Sequence, residues 1–138
     1  MTSNSGIRRR AAERRGRRGE LLARALLMLK GYRILGRRVR TRVGEIDLIA
    51  RTPSGILCFV EVKVRAAEEA AVESVRIPQQ VRIGRAAQLY LSQRPEMGRK
   101  GVRFDVVTVG EGGFPRHFAG AWHPEDWRGT PARGILRP

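Results

Sequence analysis

Cysteine is nearly absent. Cys58 stands alone in 138 residues, so the chain can form neither an internal disulfide nor a cysteine-rich zinc site. Its apolar flanks mark it as a buried structural thiol. Apolar runs long enough to cross a bilayer are also missing. The best of them, residues 21–29, is too short and is broken by Arg24. It follows basic residues, as the core of an export signal does, but Glu20 and Arg24 interrupt it. Lys30-Gly31-Tyr32-Arg33 then stands where a small-residue cleavage site is needed. The expected setting is therefore cytoplasmic, with no membrane partner. No glycine-rich phosphate cradle is present, which removes the signature of nucleotide hydrolysis. His117 and His123 lack cysteine partners and zinc-ligand spacing, which leaves them structural or surface roles.

Acid is scarce. The chain carries 13 Asp and Glu against 28 Lys and Arg, a net charge of +15 and a pI near 11.7. Between Arg8 and Arg42, 14 basic residues face two acids, Glu13 and Glu20. So concentrated a basic surface favours a polyanionic partner, and nucleic acid is the commonest. Lysine is scarce as well: only Lys30, Lys63 and Lys100 break the arginine monopoly.

What is present is one domain's worth of chain with an ordinary core, 41% hydrophobic. Residues 1–18 read as a basic, disordered arm that turns helical near Ala11. From about Gly19, Leu22, Leu26 and Leu29 make a helical stripe, and Gly31 is placed to end it. Strands are expected over residues 32–40, 45–51 and 56–64, the last two joined by the Thr52-Pro53-Ser54-Gly55 turn. Residues 65–77 are ambiguous between loop and short helix. Pro78 opens a second helix that stops before Pro95. A fourth strand follows over residues 102–109, with a short final strand over 116–122. The tail, residues 123–138, reads as loose. The order α-β-β-β-α-β, with that extra strand, is a mixed α/β domain over residues 19–122.

The chemistry gathers on two strands. Glu61 and Lys63 share a face of a strand so apolar that both its faces look buried. A carboxylate and an ammonium there are costly unless paired or ligated. Alternation in the preceding strand puts Ile46, Leu48 and Ala50 on one face and Glu45, Asp47 and Ile49 on the other. A hairpin about Pro53-Ser54 brings Asp47 near Glu61. Two carboxylates beside a lysine suit Mg2+ or Mn2+, which takes oxygen ligands and keeps several waters. The bland counterpart is a structural ion pair among the same side chains. Glu20 either reaches this cleft or favours the positive end of its helix. Gln79 and Gln80 open the second helix, as phosphate or water contacts or as exposed helix formers. Asp105 is expected to pair with a core arginine, and Trp122 and Trp127 to pack.

These residues carry a resemblance. Gly44-Glu45-Ile46-Asp47-Leu48-Ile49-Ala50, then Phe59-Val60-Glu61-Val62-Lys63, resembles the YraN-like family of uncharacterised bacterial proteins, within the restriction-endonuclease-like, PD-(D/E)xK nuclease superfamily. Gly19-Glu20-Leu21-Leu22-Ala23, Gly31-Tyr32, Ala86-Ala87, Tyr90-Leu91 and Arg103-Phe104-Asp105-Val106-Val107 extend the likeness over residues 19–122. It implies a central mixed sheet flanked by helices, with the site at one edge. It implies that Asp47 and Glu61 bind the metal, that Lys63 is the catalytic lysine and that Glu20 is the acidic residue of the first helix. Gln79 departs from the family, which commonly has a basic residue there. The expected function is a metal-dependent nuclease cutting DNA, with branched or flapped structures as candidates by analogy with archaeal Holliday-junction resolvases. Arg37, Arg38, Arg40, Arg42, Gln79, Gln80 and Arg82 are the expected nucleic-acid contacts. A homodimer is expected only for a junction substrate. The alternative is a noncatalytic module of the same fold that binds DNA or RNA. A third reading is an RNA- or ribosome-associated protein driven by the arginine arm.

Overall fold

In a computed structural model, the described residues are 4–64, 77–110, 112–124 and 127. The ambiguous segment after the third strand and nearly all of the C-terminal tail lie outside them. The elements are α1 (Asn4–Leu29), β1 (Arg33–Thr41), β2 (Gly44–Arg51), β3 (Leu57–Val64), α2 (Ile77–Gln93), a 3-10 turn (Pro95–Gly98), β4 (Val102–Val109) and β5 (Pro115–Trp122). The five strands form one sheet in chain order. Only β3 and β4 run parallel, and that pair needs the crossover that α2 belongs to. This is the central mixed sheet with flanking helices that the sequence predicts, and it is consistent with a restriction-endonuclease-like core. No described helix is long and apolar enough to cross a membrane.

The helices cover opposite faces of the sheet. Ala23 and Leu27 of α1 bury against Leu48, Ala50, Cys58, Val60 and Val107. Ile83, Ala86, Ala87 and Tyr90 of α2, spaced three and four apart, bury against Ile46, Ile49, Phe59 and Phe104. β3 is sealed on both sides, which explains its unbroken apolar run from Leu57 to Val60. Trp122 and Trp127 pack on Phe104, with ring centroids 4.6 and 5.1 Å away, so both tryptophans are half-buried against the core.

Two expectations change. Helix α1 begins at Asn4, ahead of both the turn to helix expected near Ala11 and the apolar stripe expected from Gly19. Arg and Ala are strong helix formers, and no proline interrupts residues 4–18. The helix ends as expected: Gly31, at φ 86°, lets the Tyr32 N–H return to the Leu27 carbonyl. The second change is in β2. Ile46 joins Ile49 on the α2 side instead of sharing a face with Leu48. Alternation breaks there because the β2–β3 pairing stops at Leu48 and Val60. The neighbouring β1 strand departs from regularity at the same level, where Arg38 takes φ 48°.

Helix α1 crosses the sheet so closely at Gly19 that an added Cβ would collide with the Val64 side chain. Gly19→Leu should therefore destabilise the fold by about 1–3 kcal/mol, from overpacking. A thermal melt checks this, and an unchanged Tm would show that α1 can lift away freely.

Candidate active site

The irregular step in β2 builds the site. Where the ladder stops, the Val62 N–H would be left without a strand partner. Asp47 takes that place, its carboxylate accepting from Val62 N at 2.8 Å. This turns Asp47 toward Glu61. Glu61 and Lys63 project from β3 on the α2 side, as period two requires, and their side chains are only 11% and 15% exposed. The Lys63 ammonium lies 3.5 Å from Glu61 Oε1. Gln79, in the first turn of α2, joins them. Its Nε2 donates to Glu61 Oε1 at 2.9 Å, and its Oε1 accepts from Lys63 Nζ at 3.2 Å. The three side chains close a ring of polar contacts.

The cleft above this ring holds about 200 Å³ and is lined by Asp47, Glu61, Gln79 and Arg82 with Gly44 and Glu45. Its electrostatics are those of crowded acids. Burial pushes the Glu61 carboxyl up to about 8, the Asp47 charge adds to the rise, and Lys63 opposes it. Burial also raises Asp47, against the Val62 N–H and a hydrogen bond from Glu61, which lower it. Burial and mutual repulsion thus hold the pair above the ordinary carboxylate range. Among the described residues no three His, Cys, Asp or Glu side chains gather as metal ligands. Two hard carboxylates suit magnesium or manganese, which needs only one or two and fills the rest with water; they do not suit a soft transition metal.

The other predicted residues lie in two further places. Glu20 does not reach this cleft. It is buried on the α1 side, where its Oε2 accepts from Arg38 Nε at 2.7 Å. Arg17, Arg24, Arg37 and Arg38 surround it in a separate cleft of about 340 Å³. Arg40 and Arg42 are exposed and line a third cleft, toward the end of α2. Gln80 is half-buried in the first turn of α2.

Sequence reasoning foresaw one pair of a second polar cluster and missed the rest. Asp105 is fully buried and accepts from Nε and Nη2 of Arg103, at 2.8 Å each. His117 Nε2 lies 2.7 Å from its Oδ2, and Gly120 N donates to Oδ1 at 2.9 Å. Arg103 also donates to the Tyr32 hydroxyl at 2.7 Å, and Lys30 Nζ meets His117 Nδ1 at 2.9 Å. The pairing of Asp105 with an arginine was legible in Arg103-Phe104-Asp105, two residues apart on one face of a strand. The part played by His117 was not. Cys58 lies beside this cluster, and burial, then the Asp105 charge, pushes its thiol up to about 12, so it is no nucleophile.

A profile described as uncharacterised protein family UPF0102 matches residues 19–109, a span that contains Glu20, Asp47, Glu61, Lys63 and Gln79. A UPF0102 protein of Agrobacterium fabrum is 50% identical over 115 residues, covering 83% of this chain and 93% of its own. One of Rhizobium etli is 47% identical over 114 residues, with the same two coverages of 83% and 93%. One of Mesorhizobium japonicum is 47% identical over 123 residues, covering 89% and 98%.

Proposed function

The chain belongs to the uncharacterised protein family UPF0102, and from that premise we propose that it is a divalent-metal-dependent nuclease that cuts DNA. One observation carries this reading. Asp47 and Glu61 converge in an open cleft with Lys63 held at 3.5 Å from Glu61, in a chain of net charge +15. Crowded carboxylates whose ionisation is disfavoured are what a hard cation would relieve. Asp47 and Glu61 would hold the ion, Mg2+ or Mn2+, whose contribution is Lewis-acid charge at the phosphodiester.

The side chains of the chain divide the remaining work. Lys63 holds its ammonium beside Glu61 and Gln79 at the edge of the cleft, from where it would orient an attacking water or balance negative charge growing on phosphorus. Arginine would serve less well in proton transfer because it stays protonated. Gln79 fixes Lys63 and Glu61 relative to each other and so takes a positioning role. Glu20 acts only through Arg38, which makes it a positioning residue too. Arg82, Arg40 and Arg42 supply phosphate contacts around the cleft, a salt-sensitive attraction. Branched or flapped DNA is the proposed substrate, and for a junction two copies of the chain would deliver the paired cuts.

The test is a labelled panel of duplex, single strand, flap, four-way junction and structured RNA, with Mg2+, Mn2+ or EDTA. Cleavage that needs metal and is lost in both Asp47→Asn and Lys63→Ala supports the proposal and names the substrate class. Binding without cleavage under every metal would replace it with the noncatalytic module. Cleavage surviving both substitutions would also sink it, by placing the activity elsewhere.

A further inference from the structure

The cleft between the β1 edge and the end of α2 holds about 510 Å³, more than twice the carboxylate cleft. That is the size of a site for a drug-sized group and far too small for a duplex. Arg40, Arg42 and Arg94 line it, with Val39 and Leu89 as apolar wall, and among the described residues no acid lines it. Its mouth is built rather than accidental. Thr41 Oγ1 accepts from Val43 N and Gly44 N and donates to the Gly44 carbonyl, which holds the tight β1–β2 turn that presents Arg42. On the other wall the Arg94 guanidinium lies 4.5 Å from the Tyr90 ring centre. Tyr90 is only 9% exposed, so the ring is capped and the outer face of Arg94 is the surface offered to a ligand.

One ion pair links the walls of this groove and the carboxylate cleft. Arg40, on the groove wall, pairs with Glu45 at 3.5 Å, and Glu45 lines the Asp47–Glu61 cleft. We propose that this groove carries one sugar-phosphate strand away from the Asp47–Glu61 cleft. Arg40 and Arg42 hold its phosphates, and Arg94, stiffened by Tyr90, is the platform on which one base stacks. Guanidinium planes stack on bases of any sequence, and phosphates held by arginine give affinity without sequence preference. The inference rests on the nucleic-acid reading of the neighbouring cleft, but it is a statement about binding and can stand without cleavage.

The full chain is titrated in EDTA against a labelled single strand and the matching duplex, by fluorescence anisotropy at several salt concentrations. Arg42→Ala/Arg94→Ala should weaken single-strand binding roughly 10- to 100-fold and flatten the salt slope by about 0.7 for each phosphate no longer neutralised. Arg99→Ala/Lys100→Ala removes the same charge from exposed sites outside the groove, with Lys100 against Gly55 of the β2–β3 turn, and should cost less than about 2-fold. Arg94→Lys keeps the charge but not the plane, so it should weaken binding while leaving the salt slope unchanged. A loss no greater than that of the Arg99/Lys100 variant overturns the proposal, as does a wild-type chain that binds no single strand. Metal-dependent cleavage by the wild type is scored separately. If the groove variants bind normally while the wild type cleaves, the groove fails and the nuclease stands. If binding depends on the groove and no metal yields cleavage, the nuclease fails and the groove stands.

Discussion

Asp47→Asn should lower metal-dependent cleavage by about a thousand-fold or more while leaving the fold at least as stable as the wild type. The two halves of this result have different causes. The amide oxygen of Asn can still accept from Val62 N, the bond that replaces the broken ladder at 2.8 Å. What disappears is the charge that would hold the cation. Its loss also relieves the crowding that raises both carboxyls. A rise of a few degrees in Tm beside lost activity is the usual trade of stability for function at such a site. Asp47→Ala should lose activity as well but also stability, by about 1–3 kcal/mol, because Val62 N is then buried without a partner. A Tm for Asp47→Asn well below the wild type would show that Asp47 is a structural ion-pair residue.

The same crowding predicts a pH dependence. The Glu61 carboxyl is raised from 4.5 to about 8, so the folded chain binds more protons than the unfolded one across that window. Stability should therefore fall as pH rises from about 4.5 toward 8, and Glu61→Gln should flatten the decline. A cation bound by the carboxylates should lift Tm in the wild type at pH 8, by mass action, and not in Asp47→Asn. Equal Tm shifts in both would place the ion elsewhere.

Asp105→Ala should be the most damaging substitution for the fold, at about 3–5 kcal/mol. Asp105 is wholly buried, and Arg103 is 11% exposed beside it. Removing the carboxylate leaves the largely buried Arg103 charge without its counter-ion, with the Tyr32 hydroxyl as its remaining partner, and strips Gly120 N and His117 of their acceptor. The expected fall in Tm is about 10 °C or more, or failure to accumulate folded protein. Asp105→Asn keeps the shape and separates loss of charge from loss of packing. The acid limb of stability should report the same group. Burial alone would raise Asp105, but the hydrogen bonds of His117 and Arg103, with the Arg103 charge and Gly120 N–H, hold it below its ordinary value of 3.8. With its folded value depressed, its contribution is complete above the unfolded value and is lost as pH falls through the folded one. Wild-type stability should drop below about pH 4, and Asp105→Asn should show less of that drop. A Tm within two or three degrees of wild type for Asp105→Ala would mean that the cluster contributes little.

Local pattern determined much of this protein. Period two put Glu61 and Lys63 on one face, the Pro53-Ser54 turn brought Asp47 across from β3, and the apolar run of β3 foretold burial on both sides. Each of these depends on neighbours within one strand or one hairpin. The start of helix α1 is not legible in composition, which argues for an arm, whereas the Arg- and Ala-rich run without proline carries the element back to Asn4. Only the tertiary structure decided that Asp47 leaves the ladder, that Arg38 intercepts Glu20, that His117 completes the Asp105 cluster and that Arg94 caps Tyr90 beside Arg42. The pairs Arg38–Glu20, Arg103–Tyr32 and Lys30–His117 join residues 18, 71 and 87 apart in the chain. Alternation and turn chemistry act over a few residues. Which side chain meets which across the sheet is set by how the two helices pack on its faces, and packing has no period that a sequence displays.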